Sequence, residues 1–380
     1  MADILSRRDN ARMTDHCCVL DDRGGVKRIG SGSTATCFCV SLTSETDRAR
    51  HGGAGAIARK VVRLHGKTAA HAARELQVLT LLQASRERLN CVLFYHASAV
   101  SSSAICFCLG FHERSLRDVL QNTQNISDAY QSRVILSILR GLRTLKNVGY
   151  CHGDIKPVNI LLVDNSGLAV LCDFGLAASI CDGDDDGDDD DDRDRDRNAT
   201  SSTQRIDNDN ERGKVPCGSV GFLSPEALNT QRNSGLPADM WALGITITEM
   251  VSGEHPVLSK CKEIDDFWSL NERLTALPQE VQSVIRAGRS AAAEDQDSAF
   301  SVTLSDLVSA MIRFEPRERI TIEKAIEHDF FRTVGRETSS VAAIDSSAAD
   351  FFGGDGTSAA AGGAEPTAVL STATGARWDC

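Results

Sequence analysis

The stretch Tyr150 to Leu176, YCHGDIKPVNILLVDNSGLAVLCDFGL, constrains the fold more than any other part of the chain. Two short apolar runs, Asn159 to Val163 and Leu168 to Cys172, flank Asp164-Asn165-Ser166-Gly167, a turn-forming cluster whose Asn and Gly tolerate positive φ. This pattern predicts a β-hairpin. Folding it about Asn165 and Ser166 places Asn159 beside Asp173 at the open end, with Asp154 just upstream. Three hard oxygen side chains then converge. Mg²⁺ takes one or two protein oxygens and completes its shell with water and phosphate, which is what Asn159 and Asp173 offer. Asp154 stands outside that pair and is free to accept a proton from an attacking hydroxyl. Such a site suits phosphoryl transfer.

The chain has 380 residues, 41% hydrophobic and 25% charged, enough for one two-lobed enzyme or two small domains with a real core. Lys and Arg number 41 against 53 Asp and Glu, a formal charge of -12. Eleven Asp and three Arg between Asp182 and Arg197 carry -8 of it, so the acidity is local. Lys and Arg form no long patch of the kind that binds nucleic acid. The opening MADILSRRDN has no apolar core of signal-peptide length, and no run approaches the roughly 20 apolar residues of a membrane span. The expected setting is intracellular, cytoplasmic or nuclear, with no membrane partner. Thirteen Cys without a Cys-x-x-Cys pair fit reduced thiols better than a disulfide framework or a zinc site. Cys37 with Cys39, and Cys106 with Cys108, have strand spacing and are expected to be buried small apolar residues.

Taken in order, residues 1–24 form a polar, aperiodic leader. Gly24 to Val40 predicts strand, glycine-rich turn and strand, and Gly30 and Gly32 would let backbone N–H groups approach phosphate oxygens. Residues 41–56 are polar and Gly-rich, and are expected to be a flexible insertion. Ile57 to Val62 predicts the next strand. A helix from Ala69 to Leu82 follows, with Ala73, Leu76, Leu79 and Leu82 near helical spacing. Its Glu75 is free either to pair with Lys60 or to face solvent. Cys91 to Tyr95 and Ala104 to Leu109 are fit for two more strands, and Gly110 for a hinge. Helices are expected to begin at Ser115 and to span Ala129 to Val148. Asp182 to Asn210 has too few apolar residues to offset ordering entropy and is expected to be disordered, as is the Ser/Ala/Gly/Thr-rich tail beyond Gly335.

HGDIKPVN resembles the catalytic loop of eukaryotic protein kinases, His-Arg-Asp with an Asn five residues after the Asp. Asp173-Phe174-Gly175 resembles their metal-binding triplet. Lys156-Pro157 resembles the serine/threonine branch. One letter departs: Gly153 stands where the family has Arg, whose side chain binds the activation-segment phosphate. Gly30-Ser31-Gly32-Ser33-Thr34-Ala35-Thr36-Cys37 resembles the Gly-x-Gly-x-x-Gly-x-Val loop, with Ala35 for the third Gly and Cys37 for the Val. Ile57-Ala58-Arg59-Lys60 resembles Val-Ala-Ile-Lys, which implies that Lys60 grips the α- and β-phosphates and Glu75 holds Lys60. The resemblance also implies an adenine site near Gly110, its back wall supplied by Phe107, Cys108 or Leu109. Ser224-Pro225-Glu226 resembles Ala-Pro-Glu, Ser219 takes the place of a Thr that bonds Asp154 and Lys156, and Arg319 is the implied partner of Glu226. Ala238 to Gly244 resembles the large lobe's central helix.

Seven motifs in the family's order, from about residue 25 to 332, imply an α+β fold of two lobes, a small mostly-β lobe (25–110) and a larger mostly-α lobe (111–332). The acidic insert 182–210 interrupts the large lobe, and 333–380 forms a tail. The implied activity is transfer of the γ-phosphoryl of ATP to a protein serine or threonine, with basic substrates favoured by the insert. Asp154 and Lys156 are the implied catalytic pair and Asn159 and Asp173 the Mg²⁺ ligands. Gly30, Ser31, Gly32, Ser33, Ala35, Cys37, Lys60 and Glu75 would bind the nucleotide. Two alternatives keep the fold without turnover: a pseudokinase scaffold, and an acidic insert that binds basic proteins.

Overall fold

The computed structural model describes residues 26–31, 35–85, 90–122, 126–180, 218–230, 235–260, 267–290 and 299–332. The leader 1–24, the acidic insert 182–210 and the tail 333–380 lie outside the described residues. The fold has an N-terminal sheet lobe and a C-terminal helical lobe.

Five antiparallel strands build the small lobe: β1 (Val26–Ser31), β2 (Ala35–Ser41), β3 (Ala56–Arg63), β4 (Phe94–Ser101) and β5 (Ala104–Gly110), in spatial order β1-β2-β3-β5-β4. Strand alternation sorts their side chains between two faces. Phe38, Val40, Ile57, Val61, Cys106 and Cys108 form a small core on the outer face. Cys37, Lys60 and Phe107, opposite one another in the ladders, share the inner face. The expected flexible insertion at 41–56 is instead folded. Ser44 caps a short helix α1 (Glu45–Arg50), and Arg48 donates to the Leu42 carbonyl at 2.7 Å. His51, 3% exposed, packs its ring 4.8 Å from Tyr95. The physical reason is the outer core, whose apolar surface the connection helps to cover.

Helix α2 (Lys67–Ala84) extends the expected 69–82 and buries Leu79 and Leu82 of the expected stripe, with Leu76 half-buried. Ala72, Glu75, Val78, Leu79 and Leu82 face inward, while Ala73 is exposed. The strand expected at Cys91 to Tyr95 begins at Phe94, because Asn90, with φ 60°, turns the chain onto the other lobe. There the Asn90 carbonyl accepts from Leu171 N–H at 2.8 Å, its amide donates to the Ala169 carbonyl at 2.9 Å, and Val92 N–H reaches the Leu171 carbonyl at 2.8 Å.

The large lobe starts with β6 (Arg114–Ser115), α3 (Leu116–Asn122) and α4 (Asp128–Asn147). The hairpin lies next, β8 (Ile160–Leu162) against β9 (Ala169–Leu171), preceded by β7 (Tyr150–Cys151), which pairs with β10 (Ala178–Ser179). Of the turn residues, Gly167 takes positive φ and Asn165 does not. Helices α5 (Pro225–Thr230), α6 (Leu236–Ser252), α7 (Phe267–Ser290), α8 (Ala299–Met311) and α9 (Ile322–Ile326) complete the lobe. Every residue of α6 from Asp239 to Met250 is buried, so this apolar helix is the lobe's axis. A Cβ on its Gly244 would lie 2.6 Å from Ile312, so glycine is what lets the chain after α8 approach. Among the described residues, no helix is long and apolar enough to cross a membrane.

Candidate active site

The loop between β7 and β8 is hung from α6. The N–H groups of His152 and Gly153 both donate to the carboxylate of Asp239, at 2.6 and 2.8 Å, and Asp239 is 1% exposed. Burial raises the Asp239 pKa, while His152 and the two backbone N–H groups pull it back. Gly153 sits at φ 77°, in the left-handed region that favours glycine. His152 Nδ1 accepts from the Asp154 N–H at 3.2 Å. Its Nε2 must therefore carry the proton, and it donates to the Cys172 carbonyl at 3.0 Å. One imidazole thus ties the loop to the residue before Asp173.

Asp154 is 8% exposed and its carboxylate is fully engaged. Oδ1 accepts from Ser219 Oγ at 2.9 Å, and Oδ2 accepts from Lys156 Nζ at 2.6 Å and Asn159 Nδ2 at 3.0 Å. Lys156 also donates to Ser219 Oγ at 2.6 Å, which closes a three-membered ring of Asp154, Lys156 and Ser219. Asn159 Nδ2 reaches the Asp154 carbonyl at 2.9 Å as well. With its nitrogen committed, the amide keeps its oxygen for another partner.

A second cluster joins the lobes. Lys60 Nζ donates to both oxygens of Glu75, at 2.7 and 2.8 Å, and to Asp173 Oδ1 at 2.8 Å. Its three protons have three acceptors. Burial alone would lower the Lys60 pKa, but the charges of Glu75 and Asp173 outweigh it and the net shift is upward. Glu75 is 3% exposed, so it faces Lys60 and not solvent. Asp173 adopts φ 65° and ψ 74°, a left-handed turn that lifts its side chain toward the cleft while Phe174 is buried beneath. For Asp173, burial pushes the pKa up, but Lys60, His152 and Lys156 together hold it below the usual carboxylate range. It is therefore ionised at neutral pH.

Gly30 and Ser31 end the exposed strand β1, and Gly32 and Ser33 lie outside the described residues. Ala35 and Cys37 lie on β2, with Cys37 opposite Lys60. Cys37 and Cys39 are half-buried, against the expectation of full burial, because their face is the open cleft and not the outer core that holds Cys106 and Cys108. Of the three residues proposed for the back wall, Phe107 and Leu109 face inward and Cys108 faces the outer core. Sequence reasoning gave Asp239 no role. A single acid inside the apolar run Met240 to Ile247 and its preceding turn was the available signal.

Residues 25–331 match the protein kinase domain family. The chain belongs to that family. The kinase domain is 26% identical over 219 residues to ribosomal protein S6 kinase 2 alpha of Xenopus laevis, covering 57% of this chain and 24% of the relative. It is 26% identical over 221 residues to the bovine phosphorylase b kinase gamma catalytic chain, liver/testis isoform, covering 57% of this chain and 44% of the relative. Mitogen-activated protein kinase kinase 10 of Arabidopsis thaliana is 25% identical over 249 residues, with 62% and 65% covered. The chain thus spans less than two thirds of the length of each of these relatives.

Proposed function

We propose that the protein is a serine/threonine kinase that transfers the γ-phosphoryl of ATP to a protein hydroxyl. The observation that carries this reading is the pair of clusters: Lys60 held between Glu75 and Asp173, and Asp154 held by Lys156, Asn159 and Ser219. Asp173 and Asn159 fit a hard cation, since one offers an ionised, half-exposed carboxylate and the other an amide oxygen. These two would hold Mg²⁺, which when bound neutralises charge on the phosphates. Lys60 would grip the α- and β-phosphates and Glu75 fixes its ammonium. Gly30, Ser31, Gly32, Ser33, Ala35 and Cys37 would cover the nucleotide from above.

Asp154 orients the attacking hydroxyl and takes its proton at a carboxylate oxygen, in the place where Ser219 Oγ now donates. Lys156 lies 2.6 Å from that carboxylate and steadies the γ-phosphate as charge develops. Most of the rate gain is positioning and charge stabilisation. The net charge of -8 on residues 182–197, tethered between Ile180 and Gly218, favours basic protein substrates.

A second reading, a kinase fold that binds without turnover, draws on Gly153, which replaces the family's loop Arg with no side chain at all. Purified protein given Mg·ATP and a generic basic protein separates the two. Phosphoserine or phosphothreonine on the substrate supports the kinase, and nucleotide binding with no phosphate transfer supports the scaffold.

A further inference from the structure

Helix α2 carries a stripe of basic side chains that no acid of the described structure answers. Lys67, His71 and Arg74 stand at intervals of four and three residues, which puts them on one face of the helix. Lys67 and Arg74 are exposed and His71 is half-buried. Burial lowers the His71 pKa, and the charges of Arg74 and Lys67 lower it further against the opposing pull of Asp173, so the two cations converge on this ring. Among the described residues neither Lys67 nor Arg74 makes an ion pair, and the first turn of α2 holds no acid. The carboxylates of Glu75 and Asp173 are both taken by Lys60. The stripe stands over the root of the most acidic segment of the chain. A Cβ on Gly175 would lie 3.6 Å from the Cβ of His71, and Asp182 follows Gly175 by seven residues, a span of at most about 25 Å. Between Asp182 and Arg197, eleven Asp against three Arg leave a charge of -8.

We propose that Lys67, His71 and Arg74 form a docking face for the Asp-rich segment 182–197 of the same chain, which thereby ties α2 to the large lobe. Lys67 and Arg74 supply charge, and His71 between them supplies an N–H donor. Each exposed pair is weak and salt-sensitive by itself. The tether offsets this weakness, since it turns docking into an intramolecular event. Eleven Asp along one segment also offer many equivalent pairings, so the contact needs no single register. Helix α2 is the element that carries Glu75, and Glu75 holds Lys60. Docking therefore steadies the Lys60 and Glu75 pair from the side of α2 that faces away from the sheet's ion pair.

The test is zero-length crosslinking of the full chain with a carbodiimide, which joins a contacting carboxylate and amine, read by peptide mass spectrometry on a mixture of light and isotope-labelled chains. Lys27 on β1 and Lys324 on α9, both exposed, are the internal comparisons. Links from the Asp of 182–197 to Lys67 are expected to exceed those to Lys27 and Lys324 about fivefold, and to vanish at 1 M salt, where the Debye length is about 3 Å. Hydrogen exchange gives a second readout. Replacing the eleven Asp by Asn should speed exchange of the α2 amides about two- to fivefold and leave α6 unchanged. Lys67→Gln with Arg74→Gln should do the same, and should add nothing in the Asn background. Equal linking to all three lysines, or effects on α2 that add in full, overturns the docking face. Links that join light to heavy chains would place a second copy's segment on α2 and overturn the intramolecular contact. Neither readout uses phosphate transfer, so a protein that binds without turnover leaves this inference standing.

Discussion

Beneath the cleft, Asp154 is held by Ser219, Lys156 and Asn159, and the loop that carries it is pinned to Asp239 on a helix buried on all sides. Above the cleft, β1 is six exposed residues paired to β2 alone, at the edge of the sheet. The floor is organised by the protein's own polar network before any ligand arrives. The roof strand is held by its ladder with β2 and buries none of its residues, so it is expected to open more readily than the floor. The proposed phosphoryl transfer would call for both constructions, fixed groups for the chemistry and a yielding roof to admit a nucleotide.

Breaking the floor should have the largest effect. Arg319 is buried, bonds both oxygens of Glu226 at 2.6 and 2.7 Å, and lies 5.1 Å from the Trp241 ring of α6. Arg319→Ala leaves a carboxylate without its partner and is expected to destabilise the protein by about 3–5 kcal/mol in urea unfolding. A loss below about 1 kcal/mol would mean that the pair does not hold α6 in place.

The next effect depends on pH. His255 packs its ring 4.7 Å from Phe222, and its Nδ1 accepts from the N–H groups of Val257 and Leu258, so the neutral form with Nε2–H is the bound one. Burial, with Arg117 nearby, pulls its pKa down to about 4. The stability it contributes is complete above the unfolded value of about 6.5 and is lost as pH falls toward 4. With discount for partial exposure this is about 2 kcal/mol. In His255→Asn, the fall in unfolding free energy between pH 6.5 and 4 should be shallower by that amount. Parallel pH profiles would contradict it.

One substitution made in both regions sharpens the contrast. At Gly153, with φ 77°, Ala must adopt a left-handed backbone, an expected cost of about 1–2 kcal/mol. At Gly30, nothing lies within 4 Å of an added Cβ and φ is outside the left-handed region, although the β1 register shifts between Arg28 and Gly30, so Gly30→Ala should stay within about 0.5 kcal/mol. Equal losses at the two sites, measured by thermal unfolding, would erase the distinction between floor and roof.

What the sequence makes legible follows the same division. The hairpin about Asn165 and Ser166 can be read from local periodicity because it is a short-range pattern, whereas the residues alone leave Glu75 open between Lys60 and solvent and only the kinase resemblance points to the pair that forms. Asp239 cannot be read that way, because its role is to accept N–H groups 86 and 87 residues away. On α2 the leucine positions of the buried face are legible in the spacing, but Ala72 and not Ala73 completes it, since the two are equally apolar and only tertiary packing chooses between them. The folded connection at α1 was missed because its polar composition hides that Asp47 and His51 become buried over the outer core.

The most direct measurement compares Asp154→Asn with the unaltered protein for both phosphate transfer and nucleotide binding. Asparagine keeps the size of the side chain and removes the proposed base, and Asp154 bonds Ser219, Lys156 and Asn159 and not Lys60 or Asp173. Transfer is predicted to fall about 10²- to 10⁴-fold with nucleotide affinity nearly unchanged. Transfer at an unaltered rate in Asp154→Asn would contradict the account.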